Sequence, residues 1–163
     1  MVQLRPTPNR VRETVFNWLR NQVAGAVCLD LFAGSGALGF EAASRGAARV
    51  VMVEQNRDQV AVLRRQVEIL QAHTIEIVQA DALQWLSATV QSFDLVFLDP
   101  PFATELLDKS LALLQRQAIL RPDGLVYVES EPGHTFAADK LQIVKQGRAG
   151  QVQYMLLARR KEN

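Results

Sequence analysis

The sequence holds one cysteine, two histidines, two tyrosines and two tryptophans in 163 residues. A single thiol cannot close an internal disulfide, which fits a reducing compartment, so a cytoplasmic protein is expected. Cys28 lies between Val27 and Leu29 in an apolar run and reads as a packed core thiol rather than a nucleophile. His73 and His134 have no partners at metal-ligand spacing, and no metal site is expected. No apolar run approaches the roughly 18 residues a membrane span needs. The opening, Met1 to Pro6, lacks the apolar core of a secretion signal. A dominant charge is missing too: 18 basic against 17 acidic residues leave a net charge of +1. That excludes a wholly basic nucleic-acid coat but not local basic patches. Basic residues do gather at the ends, with Arg5, Arg10, Arg12 and Arg20 at one and Lys145, Arg148, Arg159, Arg160 and Lys161 at the other.

What is present suits one globular domain. Hydrophobic residues make up 48% and charged residues 21% of the chain, and a chain of this length buries about 70% of its unfolded surface. The expectation is a single domain over 1–163, with a leading helix region at 1–22 and a core over 26–163. Thr7 and Pro8 supply a helix start, and Val11, Val15, Trp18 and Leu19 give that helix an apolar face. Residues 26–32, 49–54, 74–79, 94–98 and 125–130 read as strands. Helices over 37–45, 56–70, 82–87 and 103–117 fall between them. Pro122-Asp123-Gly124 reads as a turn, and residues 141–145 and 152–158 as a terminal hairpin joined through Gly147-Arg148-Ala149-Gly150. The alternation predicts an α/β, doubly wound, Rossmann-like sheet of seven strands, mostly parallel with an antiparallel C-terminal hairpin.

Gly34-Ser35-Gly36-Ala37-Leu38-Gly39 directly follows a strand and opens a helix. Small residues there let a ligand approach the backbone, and the helix start presents unpaired N–H groups. Glu54 ends the next strand, where a carboxylate can accept from two ribose hydroxyls. NAD and S-adenosylmethionine both use such a corner. Asp30, four residues before the first glycine, would repel a pyrophosphate but suits a cationic amino-acid tail, and so favours S-adenosylmethionine. Asp81-Ala82 can complete the pocket around an adenine, or Asp81 can simply cap a helix; both readings stand.

Beyond the fourth strand comes Asp99-Pro100-Pro101-Phe102. Two prolines forbid helix and ladder pairing alike, fixing carbonyls beside an aromatic ring. Asp30, Glu54, Asp81 and Asp99 all terminate strands at the edge where ligands of open parallel sheets gather. A planar amine fits the last group: acceptors for its hydrogens and a ring for its base.

The combination LDLFAGSGALG (Leu29 to Gly39), VE (Val53, Glu54), DA (Asp81, Ala82) and DPPF (Asp99 to Phe102) resembles class I S-adenosylmethionine-dependent methyltransferases acting on exocyclic amines of nucleic-acid bases. The leader RPTPNRVRETVFNWL (Arg5 to Leu19) resembles, more narrowly, the RsmD family of bacterial 16S ribosomal RNA guanine-N2 methyltransferases. The resemblance implies S-adenosylmethionine held by Asp30, Phe32, Ala33, Gly34, Ser35, Gly36, Glu54, Gln55, Asp81 and Ala82. It implies catalysis by Asp99, Pro100, Pro101 and Phe102; the family often has Tyr at the last position, and Phe102 keeps its stacking face. The implied substrate is guanine N2 in 16S ribosomal RNA, in a small-subunit assembly context, met by a monomer. Arg10, Arg12 and Arg148 are the RNA-contact candidates, the last because a parallel sixth strand would bring its connection to the active edge. Methylation of DNA adenine or of a protein glutamine is the nearest alternative. A nicotinamide-dependent oxidoreductase is more distant, since it gives the proline tetrad no role.

Overall fold

A computed structural model describes residues 8–102, 104–135 and 139–161. The elements in chain order are α1 (Asn9–Trp18), β1 (Val27–Asp30), α2 (Ala37–Ser44), β2 (Arg49–Glu54), α3 (Arg57–Leu70) and β3 (Ile75–Gln79). They continue with α4 (Ala82–Ala88), β4 (Phe93–Leu98), α5 (Leu106–Arg116), β5 (Leu120–Ser130), β6 (Leu141–Ala149) and β7 (Val152–Arg159). The strands form one sheet in the order β3-β2-β1-β4-β5-β7-β6. β1 to β5 are parallel, and β7 inserts antiparallel between β5 and β6. The expected doubly wound sheet with its antiparallel terminal pair is the observed fold.

Strand alternation divides the core in two. On one face Cys28, Val50, Met52, Leu95, Phe97 and Tyr127 pack under Val11, Val15, Phe16 and Leu19 of the α1 segment, with Leu38 and Ala42 of α2 and Leu63 of α3. On the other, Leu29, Leu31, Val51, Val53, Val96, Leu98 and Val128 meet Leu86 of α4 and Leu107, Leu111 and Leu114 of α5. Helix α1 is fastened by rings: Phe16 lies 5.9 Å from Phe97 and Trp18 stacks on Tyr154 at 5.3 Å. Gly147 makes room for that stack, since a Cβ there would stand 2.5 Å from the Tyr154 ring.

Several boundaries differ from expectation. Pro8 occupies the N-cap position of α1 rather than its first turn, and Thr7 lies outside the described residues. Helix α5 begins at Leu106 rather than 103. Pro122-Asp123-Gly124 is not a free turn but an excursion within β5, which already pairs with Phe93 at Leu120 and then shifts register against β4. Arg121 holds that excursion by donating to Asp94 at 2.9 Å. Arg148 belongs to β6, leaving Gly150 and Gln151 to make the final turn. Among the described residues no helix is long and apolar enough to cross a membrane.

Candidate active site

The parallel strands deliver their carboxyl ends to one edge. Asp30 ends β1 and is 2% exposed. Its Oδ2 accepts from the Gly39 N–H at 3.1 Å, a contact that needs glycine, because a Cβ there would meet the Met52 sulfur at 2.9 Å. Burial pushes the Asp30 carboxyl up to about 7; the Gly39 N–H opposes this, while Glu54 and Glu129 add to it. The turn after β1 carries Gly34 at φ +54° and Gly36 at φ +83°, left-handed values that glycine adopts without strain.

Glu54, at the end of β2, is gripped from two sides. Its Oε1 accepts from Gly34 N–H at 3.0 Å and its Oε2 from Asn56 N–H at 2.8 Å. Gln59 closes the ring, donating from Nε2 to the Gly34 carbonyl at 2.6 Å while its own N–H is capped by Asn56 at 2.9 Å. The corner is thus braced before any ligand arrives. Phe32 is half-buried, Ala33 buried and Ser35 exposed beside it, and Gln55 is exposed beyond Glu54. Asp81 accepts from Gln84 N–H at 2.9 Å, so the helix-cap role foreseen for it is realised at the start of α4, next to buried Ala82.

Asp99 follows β4 directly, one strand from Asp30. Pro100 is buried, Pro101 exposed and Phe102 half-buried. The Thr104 hydroxyl donates to the Pro101 carbonyl at 2.8 Å, so that carbonyl is partnered within the chain. A small cleft lies here, lined by Pro100, Pro101 and Phe102 from the tetrad and by Glu129, Ser130, Glu131 and His134 from the end of β5 and the loop after it. That loop is tied down at two points: His134 Nε2 lies 3.0 Å from Asp108 Oδ1 on α5, and Gly133 N–H donates to Gln153 on β7 at 3.4 Å.

Of the basic candidates, Arg12 donates to Asn9 at 2.8 Å and stands 3.5 Å from Glu41 of α2, so it braces α1. Arg10 and Arg148 are exposed. Because β6 runs antiparallel to β7 and β7 antiparallel to β5, β6 is parallel to the rest. Arg148 pairs with Gln153, and Gln153 with Ser130, which puts Arg148 at the level of the cleft two strands away. Cys28 is fully buried, and that burial, with Asp94 and Asp30 nearby, pushes its thiol up to about 12.

Sequence reasoning missed Gln59, Thr104, Glu129 and the His134–Asp108 pair. Glu129 had a signal: like Asp30 and Glu54, it interrupts an apolar strand near its carboxyl end. Gln59 had none, being one polar residue among many on an amphipathic helix.

The family model described as Conserved hypothetical protein 95 matches residues 1–158. The Ribosomal RNA small subunit methyltransferase D of Escherichia coli (strain K12) is 40% identical over 158 residues, 96% of this chain and 80% of that protein. A protein of the same name from Buchnera aphidicola subsp. Baizongia pistaciae is 41% identical over 129 residues, 78% of this chain and 66% of that protein. The solved structure of yhhF from Escherichia coli is 39% identical and superposes with a TM-score of 0.90, covering 95% of this chain and 88% of that one. Matched over nearly its whole length, the chain belongs to the RsmD family, whose model carries the description Conserved hypothetical protein 95.

Proposed function

We propose that the protein is an S-adenosylmethionine-dependent methyltransferase of small-subunit ribosomal RNA, acting on the exocyclic N2 amine of a guanine. It works as a monomeric domain in the cytoplasm, with 1–22 as its leading region and 26–163 as its catalytic core. The observation that carries this is the meeting of two unlike corners at one sheet edge: a braced glycine turn with Asp30 and Glu54, and the proline tetrad with its cleft. Membership of a family whose Escherichia coli member is named a ribosomal RNA small subunit methyltransferase supports the same reading.

The donor set fits S-adenosylmethionine. Asp30 is a carboxyl raised by its burial, and a ligand ammonium would favour its ionised form. Glu54 is held so that its remaining lone pairs meet ribose hydroxyls, the Gly34 to Gly36 backbone admits the ligand closely, and Asp81 and Ala82 border the adenine. Phe32, Ala33, Ser35 and Gln55 complete the lining. Bound there, the ligand supplies an electrophilic methyl group on a sulfonium.

The chain's own part is to aim the amine. Guanine N2 is a poor nucleophile because its lone pair is delocalised into the ring. The Asp99 carboxylate and the Pro100 carbonyl accept its two N–H bonds, which favours a pyramidal nitrogen with its lone pair turned toward the donor corner. Pro101 stiffens the segment, and Phe102 stacks on the base. Orientation and preorganised electrostatics supply most of the acceleration. Unstacking a base costs a few kcal/mol, and stacking on Phe102, worth roughly 1 to 3 kcal/mol, offsets it. Arg148 and Arg10 meet phosphate; Arg12 acts by holding α1 in place.

Tritiated S-adenosylmethionine, offered with naked 16S ribosomal RNA, assembled small subunits, DNA and protein, tests the assignment. Label should enter the ribosomal RNA, with assembled subunits the better substrate, and digestion should yield N2-methylguanosine. Label in DNA adenine or in protein glutamine would replace it with the alternative reading.

A further inference from the structure

We propose that Glu129 is the residue that selects guanine, by accepting the N1–H that lies beside the N2 amine. The inference rests on the methyltransferase reading above and names the group that would read the base.

Three observations place Glu129 for that task. First, Phe97 pairs with Tyr127 and Leu98 with Val128 across β4 and β5, so the next residues, Asp99 and Glu129, stand abreast. The rings of Phe97 and Tyr127 touch edge-on at 6.2 Å, showing that these positions share a sheet face, and two residues further the alternation returns to that face. Second, Glu129 lines the same cleft as Pro100, Pro101 and Phe102. Third, it is 1% exposed, directly after the run Leu125 to Val128 and before buried Ser130. Burying a carboxylate is costly, and Glu129 bears that cost at the cleft, beside the Tyr127 hydroxyl.

The chemistry of the bases does the rest. Guanine presents two donors side by side, N1–H and the N2 amine. Adenine presents its N6 amine beside N1, and cytosine its N4 amine beside N3, both ring acceptors. An acceptor for the amine next to a second acceptor therefore matches guanine alone. Asp99 with Pro100 supplies the first and Glu129 the second. A site built this way rejects a base lacking the ring N–H strongly, because the carboxylate then faces a lone pair.

The probe is 2-aminopurine, which has the N2 amine but an acceptor at N1. It is placed by ligation at the methylated position of 16S ribosomal RNA, once that position has been mapped with the unmodified RNA. Wild-type protein should prefer guanine over 2-aminopurine by about 100-fold or more in kcat/KM. In Glu129→Gln the amide can donate to the 2-aminopurine N1, and the ratio, measured at saturating S-adenosylmethionine, should contract to within about ten-fold. A purely structural role for Glu129, as a neighbour of the Tyr127 hydroxyl, would leave the ratio untouched. An unchanged ratio in a folded Glu129→Gln, or equal use of both bases by wild type, overturns the inference. The wild-type comparison stands even where the variant does not fold. Methylation of guanine without discrimination sinks this inference alone; absence of transfer to guanine sinks the parent reading with it.

Discussion

At the donor corner the backbone is fixed by polar side chains: Glu54 holds Gly34 and Asn56, Gln59 holds Gly34, and Asp30 holds Gly39. At the acceptor corner it is fixed by rings, two prolines and a phenylalanine, with the Thr104 hydroxyl donating to the Pro101 carbonyl. The contrast has a chemical sense. A ligand that is the same at every turnover is well served by a rigid hydrogen-bonded mould. A base that must leave its stack and enter is better served by a stiff lip of fixed backbone beside a ring. The mould can be disturbed without touching the lip, and the reverse.

The largest break on the donor side alone is expected from Gly36→Ala. The alanine must adopt φ +83°, and its methyl would stand 2.6 Å from the Phe40 ring and 2.8 Å from Leu63. Strain and overpacking together cost about 2 to 4 kcal/mol. Calorimetry should show donor affinity lower by about 100-fold, and thermal denaturation should show the stability loss.

Asp30 sharpens the contrast through pH. Its carboxyl stands near 7 in the folded protein against 3.8 ordinarily, so between those values the folded state holds a proton that the unfolded chain has shed. Stability from this group is therefore greatest at low pH and is lost as pH rises toward 7. Donor affinity should move oppositely, because a ligand cation favours the ionised form. Binding at pH 8 should exceed that at pH 5.5 by about ten-fold or more, and Asp30→Asn should flatten both profiles.

Gln59→Ala removes one brace of the glycine turn and should weaken donor binding by about ten-fold, with methyl transfer at saturating donor unchanged. The smallest effect belongs to the acceptor wall. The exposed His134–Asp108 pair is worth under about 1 kcal/mol, so Asp108→Asn should raise KM for RNA about two- to four-fold without altering donor affinity.

Legibility followed the same division. The mould was readable because its parts are contiguous or nearly so: glycines spaced for a turn, a carboxylate closing the next β-branched strand. The tetrad was readable because consecutive prolines permit few backbones. The rest of the cleft lining was not, since Glu129 and His134 reach it only after α5 and β5 have folded back, and no local pattern pairs them with Pro100. The β5 excursion was misjudged for a related reason. Pro122-Asp123-Gly124 is turn chemistry by every local rule, yet pairing of Leu120 with Phe93 and the Arg121–Asp94 contact draw it into the strand. Arg12 shows the reverse case, a guanidinium set aside for RNA that α2 had already engaged.

Asp99→Ala, measured for donor affinity by calorimetry and for single-turnover transfer to small-subunit ribosomal RNA in the same preparation, tests the separation of mould and lip most directly. S-adenosylmethionine affinity should stay within about three-fold of wild type while transfer falls by about 1000-fold or more. Transfer at a near wild-type rate, or a loss of transfer matched by an equal loss of donor binding, would contradict the account.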